Sequence, residues 1–447
     1  MEYDGATDWI GETFVSDAGW RHIERLVDIG NRMAGSDGER RAAEATRDAL
    51  AEHARNARID EFGIQGWERG TSAVETDHTT HEGHEVIALP RSPSGVATGE
   101  LVDLGHGLPE TFEDADVEGR VVMADSHVPD WYDRTVHRRE KYYHAVEGGA
   151  AGFVFRNHVE GCLAPTGSVG TPDDPIGAIP AVGVSKEVGA RLARRADGER
   201  VTVSTDCTVG DATSGNVHAE LGPDTDERVL VTSHIDAHDI AEGAMDNGAG
   251  TAMVVELARA LASREADIET RVEFVCFGAE EVGLLGSHRH ADRVDPDSVR
   301  AVVNNDGVVR GRTLAAYTHG FPELEAAFER VAERFDHPVS LNPELGPHSD
   351  HWPYVTRGIP GTHVHAETEG RGRGWGHTAA DTLDKLESRD MRESAVLLAE
   401  LVVDLARAGR DLPRRAPAEI AADAAEQDLA EGLRVTGDWP EPFPDLR

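Results

Sequence analysis

The residues able to do chemistry in this chain stand where apolar runs end. His234 closes RVLVTSH (228–234), and Asp246 lies in GAMDNGAG. Glu280 and Glu281 follow TRVEFVCFG (270–278) in the segment FGAEEVGLLGS. Asp306 ends RAVVNND (300–306), and His377 opens HTAADTLDKL. Alone, each has an ordinary explanation: a histidine after a strand is usually hydrogen-bonded, an Asp before Asn-Gly forms a turn, and a Glu pair is solvated. Together they amount to two imidazoles and three carboxylates, one of these from the Glu280-Glu281 pair. That donor set suits Zn²⁺ or a comparable divalent ion, and five ligands exceed what one tetrahedral catalytic site uses. Two ions sharing one carboxylate account for the number. Ions about 3.5–4 Å apart acidify a bridging water and polarise a carbonyl, and a neighbouring carboxylate can carry the proton to a leaving amine.

The elements that must position these groups are legible as strand followed by helix, repeated. RVLVTSH is a continuous apolar strand, and Val254, Leu257, Ala258 and Leu261 follow at helical spacing. Strands at 270–278 and 300–306 come next, then a helix over 322–335, a strand near 359–364, and a long helix containing Leu398, Leu401, Val402 and Leu405. This predicts an α/β fold with a mixed, mostly parallel sheet flanked by helices. In such sheets ligands bind beyond the carboxyl ends of the strands, where the five residues fall. Two helices are expected near the start, around Ile23 to Gly30 and from Glu39. Between 85 and 211 the texture changes to short β-rich pieces, GRVVMAD (119–125), GGAAGFVF (148–155), IPAVGVS (179–185) and VTVSTDCTV (201–209), with a helix after Ser185. The expected organisation is a discontinuous catalytic domain (1–84 and 212–412), an inserted β-rich domain (85–211), and a C-terminal tail or packing appendage (413–447).

Two resemblances sharpen this. The 85–211 block resembles a protease-associated (PA) domain in its Gly-Arg-Val-Val, Gly-Gly-Ala-Ala-Gly and Ile-Pro-Ala-Val segments. The catalytic segments resemble the two-zinc exopeptidases of clan MH, the aminopeptidase group of peptidase family M28. The family's H-x-D, G-x-x-D-N, A-E-E-x-G-L-x-G-S, D and Y-H-T-x-x-D-T elements occur in order as His234-Ile-Asp236, Gly243 to Asn247, Ala279 to Ser287, Asp306, and His377 to Thr382. The resemblance implies that Asp246 bridges two zinc ions, that His234 and Asp306 complete one site, and that Glu281 and His377 complete the other. It implies Glu280 as general base, Asp236 behind His234 to orient its ring, and a cis peptide at Asp246-Asn247. Two positions depart from the pattern. Gly376 replaces the usual tyrosine before the last histidine, with Tyr354, His351, His365 or an arginine of ETEGRGRGWG (367–376) as substitutes. Met245 stands where the family often has Asp. Ser349-Asp350-His351 is similar to a recurrent family segment, and reads either as a helix start or as part of a substrate pocket.

The implied activity is hydrolysis at the N-terminus of peptides. The alternatives are a carboxypeptidase, with Arg371 and Arg373 gripping a terminal carboxylate, an amide hydrolase of the same clan, or a non-catalytic binding protein keeping the fold. Composition removes other classes. The formal net charge of −39 disfavours nucleic acid and anionic membrane as partners, and no apolar run is long enough to span a bilayer. A start without a basic segment followed by an apolar one, and three scattered cysteines expected to be small buried apolar residues, place the chain in the cytoplasm as an expectation.

The acidic excess, with only Lys141, Lys186 and Lys385 among 44 basic residues, resembles proteins from salt-in halophiles. Carboxylate repulsion is screened over about 3 Å at 1 M salt but about 30 Å at 0.01 M. The melting temperature is therefore expected to fall on dilution from molar KCl, and scanning calorimetry that finds no shift would refute the halophilic reading.

Overall fold

The computed structural model describes residues 7–368 and 374–444. At its centre lies the strand Arg228–His234, buried from Val229 to His234. Alternation of side chains across the pleat gives it two apolar faces. Val229 and Val231 face the larger core with Leu257, Leu261, Leu398 and Val402. Leu230 faces the other side with Phe277, Val302 and Tyr354. The strand pairs in parallel with Arg271–Phe277 on one side and Val299–Asn305 on the other, and the latter pairs in parallel with Gly361–Ala366. Leu314–Tyr317 runs antiparallel to Gly361–Ala366 and parallel to Val339–Asn342 at the edge. The sheet is mixed and mostly parallel, as the strand and helix alternation predicts. The short strands Leu314–Tyr317 and Val339–Asn342 add to that expectation.

Two strands of 22 residues, Arg55–Thr76 and Arg200–Leu221, form an antiparallel ribbon from Arg55 opposite Glu220 to Thr76 opposite Val201. The second strand belongs to both parts of the molecule. Its last residues, Val217 to Leu221, pair with Arg271–Phe277 of the central sheet, and its first, Arg200 to Thr205, pair with Gly95–Asp103 of the insert. The 211/212 border therefore falls inside a continuous strand. Within the insert, Gly95–Asp103, Val121–Asp125, Gly152–Arg156 and Ala181–Val184 pair successively in parallel. The helix expected after Ser185 is Lys186–Arg195, and the Ser185 hydroxyl accepts the Val188 amide at 3.1 Å. A second insert helix, Arg138–Glu147, was not anticipated, and Asp8–Val15 precedes the two helices expected at the start, Ala18–Ile29 and Asp37–Ala51. Of the cysteines only Cys276 is buried; Cys162 and Cys207 are half-buried, which corrects the expectation for those two.

The C-terminal segment packs against both parts. Its helices Pro417–Glu426 and Ala430–Val435 bury Ile420 and Leu433, and the Leu345 amide donates to Gln427 Oε1 at 2.9 Å. Arg139, on the insert helix, grips the Asp438 carboxylate with both guanidinium nitrogens. A side chain at Gly432 would place its Cβ 2.5 Å from Glu140 Oε2. Overpacking of this kind costs about 1–3 kcal/mol. Gly432→Val is expected to lower the melting temperature and to speed proteolytic cleavage at 407–416, read by mass spectrometry of a timed digest; an unchanged digest would show that the contact is loose.

Candidate metal centre

The strand ends converge as their polar residues require. His234 Nε2 lies 3.4 Å from Asp246 Oδ1 and 4.0 Å from Asp306 Oδ1. His377 Nε2 lies 3.2 Å from the other Asp246 oxygen, Oδ2, and 3.4 Å from Glu281 Oε2. Asp246 thus turns one carboxylate oxygen toward each histidine. The donor atoms of His234, Asp246 and Asp306 all lie within 4.8 Å of one another, as do those of His238, Glu281 and His377. His234 Nε2 and Glu281 Oε1 are buried without a hydrogen-bond partner. Lone pairs left unpaired in such a place suit a cation, and bonds of about 2.0–2.2 Å to nitrogen and oxygen fit these spacings.

Backbone amides hold the carboxylates. Asp236 accepts from the amides of Glu280 at 3.0 Å and Glu281 at 3.1 Å, so one buried side chain fixes the Glu-Glu turn. His234 Nδ1 is 3.1 Å from the Asp236 carbonyl and 3.6 Å from its carboxylate, so the orientation expected from Asp236 comes through its main chain. Asp381 accepts from the amides of Met245 and Asp246, at 2.6 and 3.1 Å. The Ser349 hydroxyl donates to Asp306 Oδ2 at 2.7 Å, which gives the Ser-Asp-His segment a role neither expectation contained. Arg32, from the N-terminal segment, donates to the carbonyls of Ile235, Leu26, Glu242 and Gly243, clamping the loops on either side of His234 and Asp246. Gly243 has φ 61°, and a Cβ there would stand 2.4 Å from that of Ala237. The Asp246–Asn247 peptide is cis.

Crowded acids out of water hold their protons. Burial, with the charges of neighbouring carboxylates, pushes Glu280 well above the ordinary range and Glu281 up to about 7, and Asp381 up to about 6. Burial works against protonation of His234, but Glu280, Asp236, Asp246 and Asp306 overcome it and raise its pKa well above the usual value.

The cavity over these groups is about 1050 Å³ and is lined by Asp246, Glu280, Glu281, Asp306 and His377, by Tyr132 and Arg138 of the insert, and by Leu429 and Leu433 of the C-terminal segment. The insert also touches the centre directly: the Thr166 amide donates to the His377 carbonyl at 2.8 Å. Of the substitutes for the tyrosine missing at Gly376, His365 lines the cavity. Tyr354 is fully buried, its hydroxyl 2.5 Å from His290 Nδ1, and His351 is fully buried and stacked between His319 and His363, so neither lines it. Arg371 and Arg373 lie outside the described residues. The sequence reading passed over His238, Tyr317 and Arg310. Arg310 donates to the Met245 carbonyl at 3.3 Å and stands 3.8 Å from Asp246 Oδ2. The available signal for His238 was its place two residues after Asp236, in HIDAHD.

Known proteins resemble this chain in both of its parts. Residues 216–402 match the sequence profile of Peptidase family M28, and residues 97–192 that of the PA domain. The chain is 26% identical over 406 residues to Aminopeptidase YwaD of Bacillus subtilis, covering 84% of this chain and 81% of that protein. It is 26% identical over 316 residues to a probable leucine aminopeptidase 2 of Aspergillus oryzae, covering 66% of this chain and 62% of the relative. Among solved structures, an aminopeptidase from Aneurinibacillus sp. strain AM-1 superposes with a TM-score of 0.69 at 25% identity over 92% of this chain and all of that one. The zinc aminopeptidase BSAP of Bacillus subtilis shares the fold, with a TM-score of 0.68 at 23% identity over 87% of this chain and 94% of that one.

The raised carboxylates set the sign of a pH effect. An unfolded Glu titrates near about 4.3, so metal-free folded protein binds more protons between that value and about 7, and the stability these groups contribute is lost as pH rises through 7. A divalent ion needs Glu281 ionised, so its stabilisation grows over that range. The gap in melting temperature between zinc-loaded and chelator-stripped protein is expected to widen from pH 5 to pH 8; a gap independent of pH would refute the assignment of Glu281 as a ligand.

Proposed function

We propose that this chain, a member of peptidase family M28 carrying a PA domain, is a two-metal aminopeptidase that removes residues from the N-terminus of peptides. The observation that carries the reading is Asp246, whose Oδ1 faces His234 and whose Oδ2 faces His377, one histidine from each of two neighbouring ligand groups. His234 and Asp306 complete one site, Glu281 and His377 the other, and zinc suits both donor sets. When bound, the ions acidify a water, polarise the scissile carbonyl and supply the positive charge that ionises Glu280.

Glu280 lines the cavity beside the ligands without joining either group. It accepts the proton of the attacking water as the oxygen bonds to the carbonyl carbon, and delivers it to the amide nitrogen as the C–N bond breaks. A free amino acid and a shortened peptide leave. Asp236 acts as a positioning residue, since its carboxylate is spent on the Glu280 and Glu281 amides. The substrate's α-ammonium finds acceptors in Glu280 and Asp306, both on the cavity wall. A carboxypeptidase would need cations turned to the substrate; among the described residues of the cavity wall, Arg138 donates to the Ser168 carbonyl and Arg310 to that of Met245, which ties both to the scaffold.

One peptide sequence in three forms tests the end that is cut. N-acetylation is expected to abolish release of the first residue and C-amidation to leave it nearly unchanged; the opposite pattern would move the assignment to a carboxypeptidase. In the same assay Glu280→Gln is expected to keep its metal while turnover falls roughly 10²–10⁴-fold. Asp246→Ala is expected to lose metal as well. Equal metal content in the two variants would overturn the separation of base from ligand.

A further inference from the structure

His238 is 5% exposed, and neither of its ring nitrogens has a hydrogen-bond partner in the structure. A buried imidazole normally satisfies at least one nitrogen. Its Nε2 stands 2.9 Å from Glu281 Oε2, and its ring meets that of His377 edge to face at 4.6 Å between centroids. Glu281 Oε1, on the same side chain, is also buried and unpartnered. The loop that carries His238 is pinned from behind. Arg69 binds the next residue, Asp239, through two nitrogens, with Nη2 2.6 Å from Oδ1 and Nε 2.9 Å from Oδ2. Asp239 therefore faces the ribbon strand Arg55–Thr76, and His238 faces the metal ligands.

We propose that His238 is a third imidazole ligand of the centre, on the ion held by Glu281 and His377. This rests on the two-metal reading and extends it by a residue which that reading does not use. The donor atoms of His238, Glu281 and His377 lie within 4.8 Å of one another, close enough for one ion. Both ring nitrogens are buried without a hydrogen-bond partner, and Nε2 stands beside the Glu281 carboxylate, where a ligating lone pair is needed. The two sites then differ in character. His234, Asp246 and Asp306 offer one nitrogen among oxygens, whereas the His238 site offers two nitrogens and favours a borderline ion such as Zn²⁺ or Co²⁺ over Mg²⁺ or Mn²⁺. The competing role is a hydrogen bond from His238 that holds Glu281 in place, which would not put its ring on the ion.

Proton NMR of the full-length protein loaded with Co²⁺ separates the two roles, because each imidazole bound to Co²⁺ gives an exchangeable N–H signal shifted far outside the normal range. Three such signals are expected, falling to two in His238→Phe. Two signals in the unmodified protein would overturn the proposal while leaving the five-ligand reading intact, and protein that retains no Co²⁺ would overturn both. The count in the unmodified protein decides even where the variant fails to fold. Metal content gives a second readout: His238→Phe is expected to lose the more tightly held Co²⁺ first on dialysis, and loss in the same order as the unmodified protein would count against the ligand.

Discussion

Carboxylates brought together away from water repel one another, and the organisation of this molecule answers that constraint. Asp236, Asp246, Glu280, Glu281, Asp306 and Asp381 gather at the carboxyl ends of the central strands, with Glu39 and Asp350 buried nearby. Fixed dipoles rather than cations do most of the holding. Asp381 and Asp236 each accept two main-chain amides, Ser349 donates to Asp306, and Glu39 accepts from the amides of Gly35 and Ala279 and from the Ser214 hydroxyl. Donors of this kind orient a carboxylate without neutralising it. The site stays short of positive charge, which gives it affinity for metal ions. Arg32, a buried guanidinium with four hydrogen bonds, serves the loops rather than the acids, since its bonds go to carbonyl oxygens.

How much of this could be read from the chain alone depended on whether a residue's role was written locally. The strands ending at His234, Phe277 and Asn305 are buried on both faces, so they appear as unbroken apolar runs and point to the polar residues that follow. The ribbon strand Arg55–Thr76 was not legible, because much of it is half-exposed, glycines at 63, 66 and 70 interrupt its alternation, and its register shifts between Arg69 and Ser72. The insert helix Arg138–Glu147 was hidden for another reason: RREKYYHAVE has no clear apolar stripe, and burial of Arg139, Glu140 and Lys141 is made good by ion pairs and carbonyls supplied from outside the helix. His238 and Ser349 depend on neighbours far away in sequence and carry no periodic signature. Motif order picked out residues that the structure brings together, but could not distinguish those that turn toward the shared space from those that hold them in place.

The cavity illustrates the same division. Its floor is made by strand ends, the part of the fold with the strongest sequence signal, whereas its walls come from the insert and the C-terminal segment. Tyr132, Arg138, Leu429 and Leu433 reach it from chain far from any motif, and the Thr166 amide ties the insert to His377. The surroundings of the clustered histidines and carboxylates are therefore set by pieces that the motifs do not mention.

The long ribbon also imposes an order of events on folding. Arg55–Thr76 finds its partner only in Arg200–Leu221, and the whole insert lies between them in the chain. Joining strands so far apart carries a loop-closure entropy cost before any pairing repays it. A folded insert shortens that search, since Gly95–Asp103 pairs with Arg200 to Thr205 and brings the distant strand back within reach of Thr76. From there the ribbon can zip toward Arg55, and as it does so it lays Val217 to Leu221 against Arg271–Phe277, the strand that leads into Glu280 and Glu281. By this route the inserted domain is the piece that brings together the two halves of the chain it separates, and the central sheet depends for its assembly on a segment outside it.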